Sequence, residues 1–416
     1  CDTLTITSFN EGFFPRKNNN PSVIPYSLRR AFGLPTYEYH DAIFAYNFYR
    51  MIYRAKRVFL LYDSRTDGQH GELSRYAAQL EYLYQLPIVH KAVSYSVSSK
   101  KTEPIVVAKD ERIIERLALF TQADSGKAIA ASDINNYIDC PLRFYFSKIE
   151  ALTPPDAVSE TIESNTFGTL FHAVMESVYK PYKGQIVTKE IIKELIQGTI
   201  SLDNYIHAAF NKTFYKNKTN MPLLGENLLI ANIIKAYVIQ TLQFDQRVRA
   251  PFLYLETELS LTTALTLENG LSVNLKGIID RVDEQQNVTH IVDYKTGKAS
   301  TEFQNIDDLF DSTNDKRPKA VLQTFFYAML YQLNCKTTQQ LKPSIYSLRD
   351  LENYQIKYIP SKSEQEIVTD YNVFKASFEE GLTNCLSDIF DIQKPFTQCT
   401  DIKLCEYCHF KNLCNR

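Results

Sequence analysis

The clearest pattern in the chain is a pair of apolar runs rich in Val and Ile, Leu271–Arg281 and Thr289–Gly297, which flank a turn of Asp, Glu, Gln and Asn. This pattern predicts a β-hairpin. Because side chains at positions i and i+2 of a strand point to the same face, Asp293 and Lys295 share one side. Asp280 ends the partner strand, and we expect it to meet them across the ladder.

Apolar periodicity divides the first 90 residues into alternating strands and helices. It predicts strands at 4–9 and 57–62 and helices at 38–56 and 71–84. This order is typical of an α/β layer with a parallel sheet. Residues 91–128 are interpreted as a connector with one or two strands, and residues 129–416 as a second domain.

Two helical segments of the second domain carry polar side chains one turn apart. His172 and Glu176 are at positions i and i+4, and so are Gln323 and Tyr327, so each pair lies on one helix face. A surface His–Glu pair and an aromatic core stripe are the alternatives without function. A third segment is broken by Pro141, which leaves a thiol exposed at the helix end.

Composition limits these interpretations without deciding between them. The 416 residues predict two or three domains, and 44% hydrophobic with 23% charged residues is typical of a soluble globular protein. A net charge of −2 provides no global positive field for nucleic acid, so any DNA contact must be local. No apolar run has the length of a membrane span and no signal peptide opens the chain, so we expect a cytoplasmic protein. The first residue is Cys1, which suggests a piece of a longer protein.

The eight cysteines are concentrated near the C-terminus, unlike those of a secreted disulfide scaffold. Cys405, Cys408 and Cys414 form a Cys-x2-Cys-x5-Cys motif, a spacing typical of thiolate ligands to a metal. Unligated cysteines are the less favoured alternative. Three thiolates leave one ligand position, for which the candidates are His409, Cys399 or a distant cysteine. The motif predicts one metal site in a reducing compartment.

The hairpin also has two interpretations. It is either a surface turn with solvated Asp and Lys, or a place where two carboxylates hold a divalent cation beside a lysine. Buried charges need partners, which favours the cation if these side chains are buried. Hard carboxylate oxygens suit Mg²⁺, which activates water and neutralises phosphate charge.

Two short motifs in the first 90 residues carry a resemblance. Asn10-Glu11-Gly12 with Pro15 is similar to the "NEG..P" loop of superfamily 1 helicases, and Tyr49–Lys56 is similar to their final motif, usually written YVAxTRAK. The departures are Tyr46-Asn47 in place of an arginine pair and Tyr53 in place of Thr. No Gly-x4-Gly-Lys-Ser/Thr loop occurs in the sequence. The resemblance implies a degenerate motor fragment without ATP hydrolysis; an unrelated α/β domain is the alternative.

Residues 129–416 carry a second series of motifs. In chain order these are Cys140-Pro141-Leu142-Arg143-Phe144, Gly168-x3-His172-x3-Glu176, Gly277-x2-Asp280-Arg281, Asp293-Tyr294-Lys295-Thr296-Gly297, Gln323-x3-Tyr327 and the terminal Cys-x2-Cys-x5-Cys. Together they resemble the PD-(D/E)xK nuclease domain of the RecB type, and most of all the AddB (RexB) subunits of AddAB helicase–nucleases. AddB also begins with an inactivated helicase-like half, so the resemblance covers nearly the whole chain.

The resemblance implies an α/β nuclease core with a mixed sheet and flanking helices, a Mg²⁺- or Mn²⁺-dependent site and a 4Fe–4S cluster. By carry-over, His172, Asp280 and Asp293 bind the metal, and Lys295 positions and polarises the attacking water. The residues expected to support the site or hold the DNA backbone are Glu176, Gln323 and Tyr327. The implied cluster ligands are Cys140, Cys405, Cys408 and Cys414. Zn²⁺ bound by the same thiolates is the chemical alternative.

The implied function is a DNA exonuclease in double-strand-break processing and recombinational repair, working beside an AddA-like helicase–nuclease subunit. One alternative is a catalytically silent DNA-binding or scaffolding subunit, which the joint presence of His172, Asp280, Asp293 and Lys295 disfavours. The other alternative is a stand-alone iron–sulfur nuclease of the Cas4 kind, which residues 1–90 disfavour.

Overall fold

The computed structural model describes residues 2–16, 24–64, 71–93, 103–153, 162, 164–215, 221–314, 316–361 and 363–416. The chain divides into two compact units, Cys1–Ser99 and Lys100–Arg416. The predicted connector, residues 91–128, therefore lies on both sides of this division. Its described residues 103–128 pack within the second unit, because Ile113 and Leu117 of an amphipathic helix are buried in the core there.

The first unit is built on two parallel strands. Its elements are β1 (Thr3–Ile6), α1 (Tyr26–Ala31), α2 (Tyr37–Ile52), β2 (Arg57–Leu60) and α3 (Arg75–Ala78), which continues as a π-helical turn, Gln79–Leu83. β1 pairs with β2 in the parallel direction that the alternation of elements predicts. The core is aromatic: Phe9, Phe48 and Tyr76 are buried, and the rings of Phe48 and Tyr76 stack with centroids 4.8 Å apart.

Residues of the first helicase-like motif make structural contacts in this unit. Asn10 Nδ2 donates a hydrogen bond to the Asp63 carbonyl oxygen at 2.8 Å, and Asn10 Oδ1 accepts one from the Asp63 backbone N–H at 3.0 Å. The Glu11 carboxylate accepts from the Arg75 backbone N–H at 3.0 Å and from Arg75 Nε at 2.9 Å. These bonds tie the loop after β1 to the segment after β2 and to α3.

The second unit combines long helices with long strands. Its helices are α4 (Glu111–Ala118), α5 (Ala131–Asp139), α6 (Pro141–Phe144), α7 (Ser164–Tyr179), α8 (Lys189–Gln197), α9 (Thr199–Thr213), α10 (Glu226–Phe244), α11 (Lys319–Cys335) and α12 (Lys375–Phe390). Its strands are β3 (Val106–Val107), β4 (Gln185–Val187), β5 (Phe252–Thr266), β6 (Ser272–Gln285), β7 (Val288–Lys295), β8 (Glu302–Phe303), β9 (Leu341–Ser347), β10 (Lys357–Ser361), β11 (Glu364–Ile367) and β12 (Phe396–Thr397). In the described part of the chain, none of the helices combines the length and hydrophobicity that crossing a lipid bilayer requires.

The central sheet of the second unit is mixed. Its strand order among the described residues is β4-β5-β6-β7-β9, antiparallel from β4 to β7 and parallel between β7 and β9. A parallel pair needs a crossover connection, and the helix α11 supplies it. The predicted hairpin is formed by β6 and β7. Its turn residues, Gln286 and Asn287, have φ of +54° and +62°, which match a two-residue type I′ turn.

Consecutive residues of the sheet face two different hydrophobic cores. Ile291 of β7 packs in the core that contains α11 and α12, whereas Val292 and Tyr294 pack in the core that contains α7 and α10. The unit is therefore a layer of helices, a sheet and a second layer of helices. The helix α11 lies very close to β6, since a Cβ atom at Gly277 would stand 2.8 Å from Leu330 Cδ1.

A charge-balanced cluster of two arginines and two aspartates is buried in the core that contains α7. Arg281 Nη1 lies 2.5 Å from Asp245 Oδ2, and Arg281 Nε lies 2.6 Å from Asp283 Oδ2. Arg249 Nη2 pairs with the other oxygen of Asp283 at 2.6 Å. The guanidinium of Arg281 also lies 4.5 Å from the ring centroid of Phe252. Each charge has an opposite partner, which offsets part of the cost of its burial.

Candidate active site

The predicted polar residues meet where the pairing between β6 and β7 ends. The last paired residues are Arg281 and Val292. Just beyond them, Asp280 Oδ2 accepts a hydrogen bond from the backbone N–H of Tyr294 at 2.7 Å. This bond fixes one carboxylate oxygen of Asp280 and leaves Oδ1 available to other groups. The helices α7 and α11 add side chains to the same place.

Three side chains from different elements form a group of possible metal ligands. His172 Nδ1 of α7 lies 3.3 Å from Asp280 Oδ1 of β6 and 3.8 Å from Glu258 Oε1 of β5. One ligand atom of each residue lies within 4.8 Å of the others. The group is partly accessible, since the side chains of His172 and Glu258 are 28% and 32% exposed. A ligand from solvent can therefore reach it.

A chain of polar contacts leads from β7 to α11 beside this group. Lys295 Nζ lies 2.9 Å from Asp293 Oδ2 and donates a hydrogen bond to Gln323 Oε1 at 2.9 Å. Gln323 Nε2 in turn donates to the Tyr327 hydroxyl oxygen at 2.7 Å. The i, i+4 spacing of Gln323 and Tyr327 thus fixes the amide of Gln323, and that amide orients the ammonium group of Lys295.

Burial and neighbouring charges shift the pKa values of the site in opposing directions. Burial raises the pKa of the Asp293 carboxyl to about 6, against the lowering effect of Lys295. Burial by itself would lower the pKa of His172, but the charges of Asp280 and Asp293 and a hydrogen bond to Glu258 raise it to about 10. Burial also opposes the charge of Lys295, whose pKa is nevertheless raised by Asp293. The carboxylates therefore attract cations strongly.

The donor set suits a hard divalent cation such as Mg²⁺ or Mn²⁺. Two carboxylates and one imidazole nitrogen are ligands that these ions accept. Asp293 Oδ2 provides a second indication, because this fully buried oxygen accepts no hydrogen bond of good geometry from any described residue. A buried carboxylate oxygen without such a bond is unfavourable unless a cation compensates its charge. Lys295 compensates part of it, and a bound cation would complete the compensation.

Two residues of the predicted helix motif have other surroundings. Glu176 follows His172 by one turn on α7, but its Oε1 atom accepts a hydrogen bond from Lys180 Nζ at 3.3 Å. Among the described residues, no hydrogen bond or ion pair joins Glu176 to His172, Asp280 or Asp293. Gly168 lies against the loop after β7, where a Cβ atom would stand 3.4 Å from Thr296 Oγ1.

Glu258 is a candidate ligand that the sequence pattern does not reveal. The apolar pattern predicts two strands, 252–256 and 259–267, and Glu258 falls in the gap between them. In the structure they form one strand, in which Thr257 pairs with Arg281 and Leu259 pairs with Ile279. Glu258 therefore lies across from Asp280. The only signal in the sequence is an acidic residue between two apolar runs next to the hairpin.

The cysteines form a second candidate site. The four predicted ligands and Cys399 line one cavity, together with Asp139 and Arg143. Cys399 Sγ lies 3.6 Å from Cys405 Sγ. Cys140 reaches the cavity because it stands between α5 and α6, at the helix break before Pro141. Several thiols around one cavity fit thiolate ligands of a metal centre.

Comparison with known proteins gives one family match over most of the second unit. A sequence model described as the PD-(D/E)XK nuclease superfamily matches residues 128–415, which is more than half of the chain. A crystal structure of a protein from Eubacterium rectale, described as "Putative exonuclease", aligns with 76% of this chain and 93% of that chain. Its TM-score is 0.31 and its sequence identity is 13%.

Similar curated proteins come from Rickettsia species. An uncharacterized protein of Rickettsia typhi is 22% identical over 310 residues, which is 72% of this chain and 34% of that protein. An uncharacterized protein of Rickettsia bellii is 27% identical over 176 residues, which is 42% of this chain and 19% of that protein. The chain thus matches about a third or less of the length of these relatives.

Proposed function

The chain belongs to the PD-(D/E)XK nuclease superfamily, and from this membership we propose that it is a divalent-metal-dependent deoxyribonuclease. The observation that carries the proposal is the convergence of His172, Glu258 and Asp280 within 4.8 Å, beside the ion pair of Lys295 and Asp293. These five side chains come from four elements of the second unit. In the reaction, the water oxygen bonds to phosphorus, the bond from phosphorus to one sugar oxygen breaks, and the departing sugar oxygen takes up a proton in place of the one that the water loses.

Each residue has a role that follows from its charge and position. His172, Glu258, Asp280 and Asp293 would hold the cation, which when bound supplies Lewis acidity toward water and phosphate. Lys295 remains protonated because Asp293 raises its pKa, so its ammonium group stabilises the charge that develops on the phosphate oxygens. On α11, Gln323 would orient Lys295 by accepting its hydrogen bond, and Tyr327 would orient the amide of Gln323.

A comparison of variants tests the nuclease proposal. We expect the chain to degrade linear duplex DNA with Mg²⁺, and Asp280→Asn and Lys295→Met to lose at least about 100-fold in rate. Asp203→Asn is the matched acid-to-amide control, because Asp203 lies on α9 in a surface pair with Lys235.

Titration with Mn²⁺ separates metal ligands from the residue that stabilises phosphate charge. Asp280→Asn and Glu258→Gln should weaken Mn²⁺ binding, whereas Lys295→Met should retain it. Equal DNA degradation by all variants would contradict the proposal.

We propose a 4Fe–4S cluster bound by Cys140, Cys405, Cys408 and Cys414. The four thiols line one cavity, with Cys140 at the break between α5 and α6 and the other three in the C-terminal segment. Four cysteine thiolates are the ligand number of a 4Fe–4S cluster, which supports the assignment. Equimolar zinc without iron or sulfide in the purified protein would overturn this assignment.

We further propose that the nuclease works on broken DNA ends in recombinational repair, in a complex with an AddA-like helicase–nuclease subunit. The parallel strands and "NEG..P"-like loop of the first unit support a helicase-related partner. The chain itself is expected to hydrolyse no ATP, since its sequence contains no Walker A loop. Co-purification with an AddA-like protein, and ATP-driven DNA degradation only by the pair, are the expected results. Full ATP-driven activity of the chain alone would contradict the partner assignment.

A further inference from the structure

Asp139 is the last residue of α5 and stands between the cysteine cavity and α11. It lines the cavity and precedes Cys140 in the chain. Its carboxylate is 8% exposed and forms ion pairs with two cationic side chains, with Arg317 Nη2 at 2.8 Å and Lys319 Nζ at 2.5 Å. A buried carboxylate shared by two cations holds its neighbours firmly, because losing it would leave a buried charge unpaired.

Arg317 forms further hydrogen bonds to residues near the start of α11 and in α5. Its Nη1 atom donates to Asn135 Oδ1 at 2.6 Å and to the carbonyl oxygen of Leu309 at 3.0 Å. Its Nη2 atom donates to the carbonyl oxygen of Asn135 at 3.1 Å as well as to Asp139. Asn135 Nδ2 also donates to the carbonyl oxygen of Lys319 at 3.3 Å. The start of α11 is thus tied to the end of α5.

Lys319 is the first residue of α11, and Gln323 follows one turn later. Gln323 Oε1 accepts the hydrogen bond from Lys295 Nζ, so a shift of the first turns of α11 moves the group that orients Lys295. The helix is held against β6 at Gly277, where the Tyr327 and Leu330 side chains leave no room for a Cβ atom. The middle of α11 is therefore positioned by β6, and its first turn by Asp139.

We infer that Asp139 is a positioning residue that couples the metal-loaded cysteine site to the nuclease centre through the N-terminal turns of α11. A metal centre bound by Cys140 would restrain the end of α5. Asp139, the residue before Cys140, holds Arg317 and Lys319 at the start of α11 through its two ion pairs. Gln323, one turn along α11, accepts the hydrogen bond that orients Lys295. Loss of the cluster frees the end of α5 and weakens the alignment of Lys295. The catalytic consequence rests on the proposed nuclease function, whereas the mechanical link from α5 to α11 does not.

Hydrogen exchange of α11 tests the link independently of activity. The protein reconstituted with iron and sulfide is compared with chelator-treated protein, for wild type and Asp139→Asn. We expect the exchange rate of backbone amides 321–327 to rise about tenfold when iron is removed from wild type. We expect the same rise in Asp139→Asn while its iron is retained. The exchange rate of β9 should not change in either case. In Asp139→Asn, removal of iron should add no further increase. Unchanged exchange in α11 on iron removal, or loss of iron from Asp139→Asn, overturns the inference.

Kinetics test the catalytic consequence. Asp139→Asn should lower kcat by about tenfold to 100-fold with KM for DNA within about twofold, because it misplaces a reacting group without removing a DNA contact. In a double-mutant cycle, its effect should largely vanish in the Gln323→Ala background. Full additivity overturns the inference.

Asp133→Asn is the matched control. Asp133 also lies on α5, and its described partners are Lys148 at 2.5 Å and the Ala130 backbone N–H at 2.8 Å, neither of which belongs to α11, so Asp133→Asn should leave α11 exchange and kcat unchanged. A response equal to that of Asp139→Asn contradicts the assignment to Asp139. If the wild type shows no nuclease activity while α11 still responds to iron, the proposed function fails and the link stands. If the wild type is active and α11 is unresponsive, the link fails alone.

Discussion

Glu258 is held in a backbone conformation that residues with a Cβ atom avoid, with φ of +46° inside a strand. The left-handed region costs an L residue about 1–2 kcal/mol. Glycine at this position is free of that strain, although it adds entropy to the unfolded chain. The strain persists where the side chain faces His172 and Asp280, which is typical of a residue retained for binding rather than for stability.

We predict that Glu258→Gly is more stable than Glu258→Ala by about 0.5–1 kcal/mol in unfolding free energy, because only glycine relieves the left-handed strain. Both variants should weaken Mn²⁺ binding by about 10- to 100-fold, since both lack the carboxylate. Urea unfolding gives the first quantity and calorimetric titration the second. Metal affinity equal to that of wild type in both variants would remove Glu258 from the ligand set.

His290 makes the stability of the second unit depend on pH. It is buried in β7, and burial, with a further contribution from the charge of Arg249, lowers its pKa to about 3. The folded pKa lies below the unfolded value of about 6.5, so the unfolded chain binds the proton more tightly. The contribution of the neutral His290 side chain to the unfolding free energy is fully present above about pH 6.5. It is lost progressively as the pH falls from there toward about 3.

We predict that wild type loses about 2 kcal/mol more unfolding free energy than His290→Gln when the pH falls from about 7.5 to about 5. The glutamine variant has a similar polar side chain that does not titrate, and it serves as the control for all other ionisable groups. Urea unfolding followed by circular dichroism measures the difference. Parallel losses in the two proteins would show that His290 is protonated in the folded state without penalty.

At the scale of elements, the contact between β6 and α11 determines where Tyr327 and Gln323 stand. A methyl group at Gly277 would lie 2.8 Å from Leu330 Cδ1 and 3.0 Å from Tyr327 Cε1. We predict that Gly277→Ala lowers the unfolding free energy by about 1–3 kcal/mol and also lowers nuclease activity, because the helix must move away from the strand. Gly297→Ala is the stability control, since no atom lies within 4 Å of its added Cβ. Equal unfolding midpoints for the two variants would contradict the tight contact.

The hairpin could be predicted because its information is local. Alternating side chains and a polar turn specify two adjacent strands, and their pairing follows from the short connection. The strand β5 could not be predicted as one element. A polar Glu256-Thr257-Glu258 segment interrupts its apolar pattern, and only pairing with β6 shows that the strand continues through it. For the same reason, the sequence pattern does not identify Glu258 as a candidate ligand.

Helical spacing predicts which side chains share a face of a helix, but it does not predict which residues pack against that face. Gln323 contacts both Tyr327 and Lys295, so this pair reaches the candidate site. Glu176 has the same spacing from His172, yet its described partner is Lys180. The difference arises from tertiary packing: α11 is buried against the sheet, whereas the side chain of Glu176 is partly exposed and reaches the next turn of its own helix.

At the scale of the whole molecule, the predicted PD-(D/E)XK fold class with a mixed sheet and flanking helices is confirmed. The order of short motifs along the chain predicts this fold class, because four of the motifs place polar residues on α7, β6, β7 and α11. The bounds of the connector could not be predicted from local pattern. Residues 103–128, interpreted as part of a connector, belong to the second unit through long-range contacts, such as the hydrogen bond from Asn274 Nδ2 to the Gln122 carbonyl oxygen at 2.8 Å.

The two ends of the second unit are also joined, since β12 pairs with β3 and Gln398 Nε2 donates to the Cys414 carbonyl oxygen at 2.8 Å. We predict that Cys408→Ser loses bound iron and unfolds at lower temperature, because a metal centre that binds only the folded state stabilises it. Cys399→Ser is the matched control and should keep its iron. Iron analysis and thermal unfolding check both variants. Iron loss from Cys399→Ser alone would move the fourth ligand position to Cys399.

The buried arginine–aspartate cluster has a consequence for how the sheet assembles. Asp280 and Arg281 are neighbours in β6: Asp280 contacts His172, whereas Arg281 contacts Asp245 in the buried cluster. A slip of the strand by one residue would exchange the faces of the two side chains. It would bring a guanidinium to the carboxylates of the candidate site, which is an attractive contact, but it would leave Asp280 facing Asp245, while Asp283 of the same strand would turn away with Arg281. Two carboxylates would then meet in the buried core with only Arg249 as their cationic partner, so the cluster disfavours the shifted register.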